Sequence, residues 1–142
     1  MNFKSISLGF LAGPFSALIA ASANSYLVTL LIPMVLANLS AGMNWITAYL
    51  TVSSFLIHAG FALLGGYIAG RVAQKSEYWH AGVIVFLGVL ANIGLSFFIT
   101  HKFNAPALQL TYSVRLLLTT MPYAMVGAHL ARVKNMKEVA SN

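Results

Sequence analysis

The chain has 142 residues, of which 59% are hydrophobic and 7% charged, with a formal net charge of +6 from eight basic and two acidic side chains. Soluble domains carry about 25% charged residues, so the composition argues against a water-dissolved globular domain. The absence of Cys excludes disulfides, thiolate metal sites and thiol nucleophiles.

The charges stand outside the apolar stretches. No Asp, Glu, Lys or Arg occurs between Lys4 and Arg71, and Arg115 alone interrupts the later apolar runs. A charge at mid-bilayer costs roughly 2.5–3.5 kcal/mol even on insertion scales. Four windows reach the length of about 20 apolar residues that a spanning helix needs: roughly 6–32, 46–70, 79–100 and 109–131. The runs are long and lack the every-second-residue alternation of a lipid-facing barrel. They predict a single all-α domain over 1–142, an integral membrane bundle of four transmembrane helices, with a basic tail at 132–142.

The first window follows Lys4. Its start and Ala21-Ser22-Ala23 resemble a signal peptide with a small-residue cleavage site, but the apolar stretch continues through Leu27 to Leu36. An uncleaved, tilted or broken first span is expected, with the break near Gly13-Pro14 or Pro33. Small residues recur every fourth position: Gly9, Gly13, Ala17, Ala21 and Ser25, flanked by Ala12, Ser16, Ala20 and Asn24. Such ridges let helix backbones approach in lipid. They serve either packing within the bundle or an oligomer or partner interface. The second window carries Ala62, Gly66 and Gly70 in the same spacing, flanked by Gly65, Ala69 and Ala73. The third carries Gly88, Asn92 and Ser96; the fourth carries Ala124 and Ala128, with Gly127 and Ala131 beside them.

Between the second and third windows lie Arg71 and Lys75, with Glu77 next to them, and the fourth window is followed by Arg132, Lys134 and Lys137. The loop over 37–44 is uncharged and the last loop carries Lys102 alone. The positive-inside rule then places both termini and the middle loop in the cytoplasm, N-in and C-in, with Trp45 and Trp79 at opposite interfaces. The basic residues meet anionic lipid headgroups there; a nucleic-acid partner is not expected.

A short internal echo joins Gly66-Tyr67-Ile68-Ala69-Gly70-Arg71-Val72 with Gly127-Ala128-His129-Leu130-Ala131-Arg132-Val133. Duplication and shared topological demands explain it equally well. The segment Gly65-Gly66-Tyr67-Ile68-Ala69-Gly70-Arg71 followed by His80-Ala81-Gly82 resembles a pattern in small four-helix bacterial inner-membrane proteins. Those proteins usually have a His-Gly pair where Ala81 intervenes here. The resemblance implies a multi-pass inner-membrane protein and carries no activity with it.

Polar groups inside a membrane mark candidate sites. His58, Asn92, Thr119 and Thr120 fall near mid-depth and can form one polar layer, either as interhelical hydrogen bonds or as a solute or proton path with His58 as its titratable group. Arg115 stands about a turn and a half inside the fourth window. It either snorkels to the outer headgroups or, with Tyr112 one turn earlier, contacts an anion or lipid phosphate. Asn24 is a weaker candidate for the same outer cavity. Pro122 frees the carbonyl of Leu118. No Asp or Glu lies in any window, which argues against carboxylate relays, carboxylate metal sites and acid-pair hydrolysis. Ser54 and His58 are spaced like a nucleophile and base, yet no glycine-rich turn exposes Ser54. The four His lie at different depths, so no metal, cofactor or catalytic site is expected. Two function classes remain: a non-enzymatic subunit or scaffold acting through helix contacts, and a small oligomeric channel or transporter for a small solute or anion.

Overall fold

The computed structural model describes residues 2–36, 42–100 and 106–141, and the described residues are helical throughout apart from the ends and one turn. A first helix, α1 (Phe3–Phe10), passes through a π turn (Leu11–Phe15) directly into α2 (Ser16–Leu36). Then come α3 (Gly42–Ala73), α4 (Glu77–Thr100) and α5 (Pro106–Ala140). The described residues therefore form four helical rods, the first of them broken. Three stretches, Phe3–Leu30, Ala48–Ala73 and Glu77–Gly94, are long and apolar enough to cross a membrane. The four expected windows each lie inside one rod.

The break falls at Pro14. Proline lacks an N–H and its ring collides with the carbonyl four residues back, and a widened π turn relieves both. The Ser16 hydroxyl donates to the Leu11 carbonyl at 2.7 Å. Across the interface, Gly88 of α4 leaves the notch that receives the proline ring: a Cβ on Gly88 would stand 2.5 Å from Pro14 Cβ. Helix α2 runs on through Ala21-Ser22-Ala23 and Pro33 without interruption.

The distribution of side chains is inverted relative to a water-soluble core. The buried positions are mostly small: Ala62, Ala81, Val85, Ala124 and Ala128 form one cluster, and Ile6, Ala69 and Ile84 a second. Large apolar residues point outward, Leu118 at 68% exposure and Leu56 at 62%. This follows from lipid being as apolar as leucine, so that close backbone contact rather than greasy bulk holds helices together.

Helix α3 is the hub and packs against every other element. Its consecutive glycines serve two neighbours. Gly65 faces the first rod, where a Cβ would meet Gly13 Cα and Gly9 O at 2.8 Å. Gly66 faces α5, where a Cβ would strike the Ala124 carbonyl. Gly70 continues that face against Ala128 and Ala131, and Gly127 of α5 abuts Leu63 and Tyr67 of α3 in return. The two halves of the sequence echo thus lie side by side on parallel helices. Gly9, Gly13 and Ala17 are buried within the chain, whereas Ala21 is half-buried and Ser25 exposed. Leucine at Gly13 would therefore strike the chain's own α3, not a separate subunit. Ser96 lies outside the residues whose side chains are described.

Both chain ends converge on the α3–α4 turn. There Gln74 and Ser76 take positive φ, 55° and 58°, and the Gln74 N–H closes α3 on the Gly70 carbonyl at 3.3 Å. Asn2 donates through its side chain to the Val72 carbonyl at 3.3 Å, and Ser5 donates to the Ala69 carbonyl at 2.7 Å inside the core. His80 gives its Nδ1 proton to the Ser76 carbonyl at 2.9 Å, which leaves Nε2 to accept the Asn2 N–H at 3.3 Å. From the other terminus, Asn135 donates to the Gly70 carbonyl and accepts from Arg71, while Arg71 forks onto both oxygens of Glu138 at 2.9 and 3.0 Å. The basic segment after residue 131 is thereby helical to Ala140 and fastened to α3. It contains no Gly or Pro to stop it.

Two predictions follow from these contacts. Gly66→Ala should cost about 1–3 kcal/mol, because a backbone carbonyl occupies the space, whereas Gly60→Ala, with nothing within 4 Å, should be neutral or stabilise by about 0.5–1 kcal/mol. Unfolding of the two variants in micelles reads the difference. The hydrogen bond from Arg71 holds Glu138 below the usual carboxylate range. A depressed folded pKa contributes stability above the unfolded value and loses it as pH falls through the folded one. A spin label at Val139 should therefore be more ordered at neutral pH and loosen only below the ordinary carboxylate range; mobility that is independent of pH would rule the clasp out.

Candidate functional site

Helix α3 presents Thr51, Ser54 and His58 at spacings of three and four, the repeat of one helical face. Helix α5 presents Arg115, Thr119 and Thr120 opposite them. Between the two helices these residues line a groove of about 440 Å³, with Leu50, Phe55, Ala59 and Leu116 completing its wall. A second, smaller void of about 30 Å³ sits deeper, where Asn92 of α4 and Pro14 and Ala17 of the first rod close over His58 and Thr120. That space is enough for a water molecule. His58, Leu116 and Thr120 belong to both walls, so the two spaces adjoin.

All four residues of the expected mid-depth layer thus come together around these spaces: His58, Thr119 and Thr120 at the groove, and His58, Asn92 and Thr120 at the inner void. They are not cross-linked to one another. His58 Nδ1 bonds the Ser54 carbonyl at 2.7 Å, Thr119 donates to the carbonyls of Arg115 and Leu116, and Thr120 donates to that of Leu116 at 2.7 Å. Each group satisfies itself on its own helix, the common fate of helical Thr and Ser. Asn92 makes no side-chain hydrogen bond among the described residues.

The carbonyl bond also decides the chemistry of His58. A carbonyl only accepts, so Nδ1 carries the proton and Nε2 holds the free lone pair of the neutral ring. Ser54 Oγ stands 3.4 Å from Nδ1, on the nitrogen that cannot act as its base. The pair is therefore not arranged as a nucleophile and base. Among the described residues no group of three metal-ligating side chains occurs.

Arg115 is exposed at the groove, and nothing among the described residues bonds its guanidinium. The chain has two acids, and both stand at the far end: Glu77 opens α4 at the turn, and Glu138 is taken by Arg71. The side chain of Tyr112, expected beside Arg115, lies outside the described residues, as do His101 and Lys102. Asn24, expected in the same outer cavity, is elsewhere. It joins α2 to another face of α3, donating to Ser53 Oγ at 2.9 Å and accepting from the Tyr49 hydroxyl at 3.2 Å. His129 and Tyr78 share a 2.7 Å hydrogen bond at the turn end, with the Arg132 guanidinium 5.9 Å above the Tyr78 ring.

Thr51 and Leu50 were not singled out from the sequence. The i, i+3, i+7 spacing of Thr51, Ser54 and His58 was a visible signal, but the facing wall of α5 is a matter of which helices become neighbours.

Because Asn24 makes interhelical bonds and Thr119 does not, Asn24→Leu should destabilise the protein by about 1 kcal/mol, two bonds at about 0.6 kcal/mol each. Thr119→Val should stay within about 0.5 kcal/mol. Unfolding in mixed micelles separates these values. Compared with family models, with curated proteins and with solved structures, the chain matches none.

Proposed function

We propose that the protein is a four-span membrane protein of the bacterial inner-membrane type whose work is non-catalytic: it admits a small solute or anion to the polar groove between α3 and α5. The observation that carries this is the groove itself, about 440 Å³, which gathers His58, Arg115, Thr119 and Thr120 where no acid can neutralise the cation. Helix α5 serves as the fourth span. The segment from 116 to 131 between Arg115 and Arg132 is about 24 Å long at 1.5 Å per residue, and the two flexible stems reaching outward make up the bilayer's apolar thickness of about 30 Å. Six of the eight basic residues (Lys4, Arg71, Lys75, Arg132, Lys134 and Lys137) are at or near the end where both termini meet the α3–α4 turn. The positive-inside rule puts that end in the cytoplasm.

A second function, as a subunit or scaffold acting through helix contacts or self-association, draws on α2. Its Ser22, Ala23, Ser25 and Tyr26 are exposed, a small-residue face with a bulky anchor beside it. The ridge of Gly9, Gly13 and Ala17 does not serve it, because those residues are engaged with α3.

Water accessibility decides between the two. With no native Cys, single-Cys variants at Asn92 and Thr119 can be labelled with a membrane-impermeant maleimide in intact vesicles. Thr119→Cys should react from the outer side, and Asn92→Cys should react more slowly. If both stay unlabelled while the protein runs as a stoichiometric complex with itself or another protein, the solute function is lost and the scaffold function gains.

A further inference from the structure

We infer that the α3–α5 groove binds a phosphate that also carries a hydroxyl group, held at Arg115; this rests on the groove being a solute site, as proposed above. The ligand follows from a donor and acceptor count of the wall. Arg115 supplies a fixed positive charge and five N–H donors in a planar fork. Thr119, Thr120 and His58 offer lone pairs. Thr119 and Thr120 have spent their hydroxyl protons on the carbonyls of their own helix, and neutral His58 has spent its Nδ1 proton on Ser54. Ser54, whose hydroxyl proton the protonated Nδ1 cannot accept, adds one donor, so the Arg115 cation and the Ser54 hydroxyl stand in one wall with three acceptors.

That wall selects by chemistry. A metal ion or ammonium group would be repelled by Arg115. A halide would meet the guanidinium but has no proton to give, so it draws nothing from the acceptors. A phosphate ester meets both needs. Two of its oxygens match the guanidinium fork, and a hydroxyl on the phosphate or on its alcohol donates to Nε2 or to a Thr oxygen. The apolar part of the wall, Leu50 and Phe55, suits a carbon backbone attached to it. The same chemistry occurs in two sources: a hydroxylated phospholipid headgroup reached from the bilayer, and a water-soluble phosphate ester reached from the aqueous side. Snorkelling alone would leave Arg115 in contact with any headgroup, without the hydroxyl preference.

Native mass spectrometry of the full chain tests this with two probes. One is phosphatidylglycerol in phosphatidylcholine nanodiscs; the other is glycerol 3-phosphate added to protein in a neutral detergent. At least one probe should leave one adduct per chain. Arg115→Gln should lower its retention roughly tenfold, the loss expected for a charge-assisted hydrogen bond, while Arg132→Gln at the basic end should leave it unchanged. An adduct with phosphatidylglycerol alone identifies the lipid source, and one with glycerol 3-phosphate identifies the soluble source. Equal retention in Arg115→Gln, retention lowered only by Arg132→Gln, or no adduct with either probe overturns the inference. The labelling of Thr119→Cys separates the two levels. A reactive Cys without an Arg115-dependent adduct removes the phosphate assignment and keeps the groove as a solute site. An adduct with an unreactive Cys keeps the phosphate and removes the aqueous path.

Discussion

Backbone proximity at Gly65 and Gly66 is the contact on which the rest of this bundle depends. In lipid there is no hydrophobic gain from pushing leucines together, so helices associate where their backbones can approach. Gly65 admits the first rod through Gly9 and Gly13, and Gly66 admits α5 through Ala124. Two adjacent residues on one helix therefore hold two partners on different faces. That single arrangement makes α3 the hub, sets α3 and α5 parallel, and leaves the larger apolar side chains facing outward.

The groove is a consequence of the same geometry. Helices α3 and α5 are close where Gly66, Gly70 and Gly127 meet, nearer the α3–α4 turn. Further from the turn the facing side chains are larger, and the helices enclose space at Thr51, His58 and Arg115. Pro14 contributes from a third direction. Its π turn and the notch at Gly88 close the inner void over His58 and Asn92. The polar groups keep their hydrogen bonds within their own helices, so they line the space without bridging it.

Electrostatics separates the two ends of the molecule. At the turn end, Arg71 is paired with Glu138, and His80 and Asn135 fasten the two termini to the turn. At the groove, Arg115 meets no acid in a chain that has two. One cation is structural because a carboxylate and an amide reach it. The other has no bonding partner among the described residues.

Much of this was legible before any coordinates. The long uncharged runs declared helices, because every backbone group in lipid must bond within its own segment, and the small-residue repeats named the positions where backbones meet. Pro14 and Pro33 were the two places where a break could fall, and the π turn lies at the first; His58, Asn92, Thr119 and Thr120 were expected in one layer, and they line two adjoining spaces. The pairing of those ridges was not legible, since Gly13 facing Gly65 and a Gly13 facing another subunit have the same one-dimensional pattern. Nor was the place of Asn24, which depth alone put with Arg115 and which the rotation of α2 carries to Ser53 and Tyr49. The clasp of Glu138 on Arg71 was also hidden, because a residue 67 positions away becomes a neighbour only when two helices run parallel. By itself, the sequence determined which segments are helical and how far along its helix each residue stands, through hydropathy and 1.5 Å of rise per residue. Only the tertiary structure decided which faces look at one another, because the rotation and adjacency of helices come from backbone contacts between residues far apart in the chain.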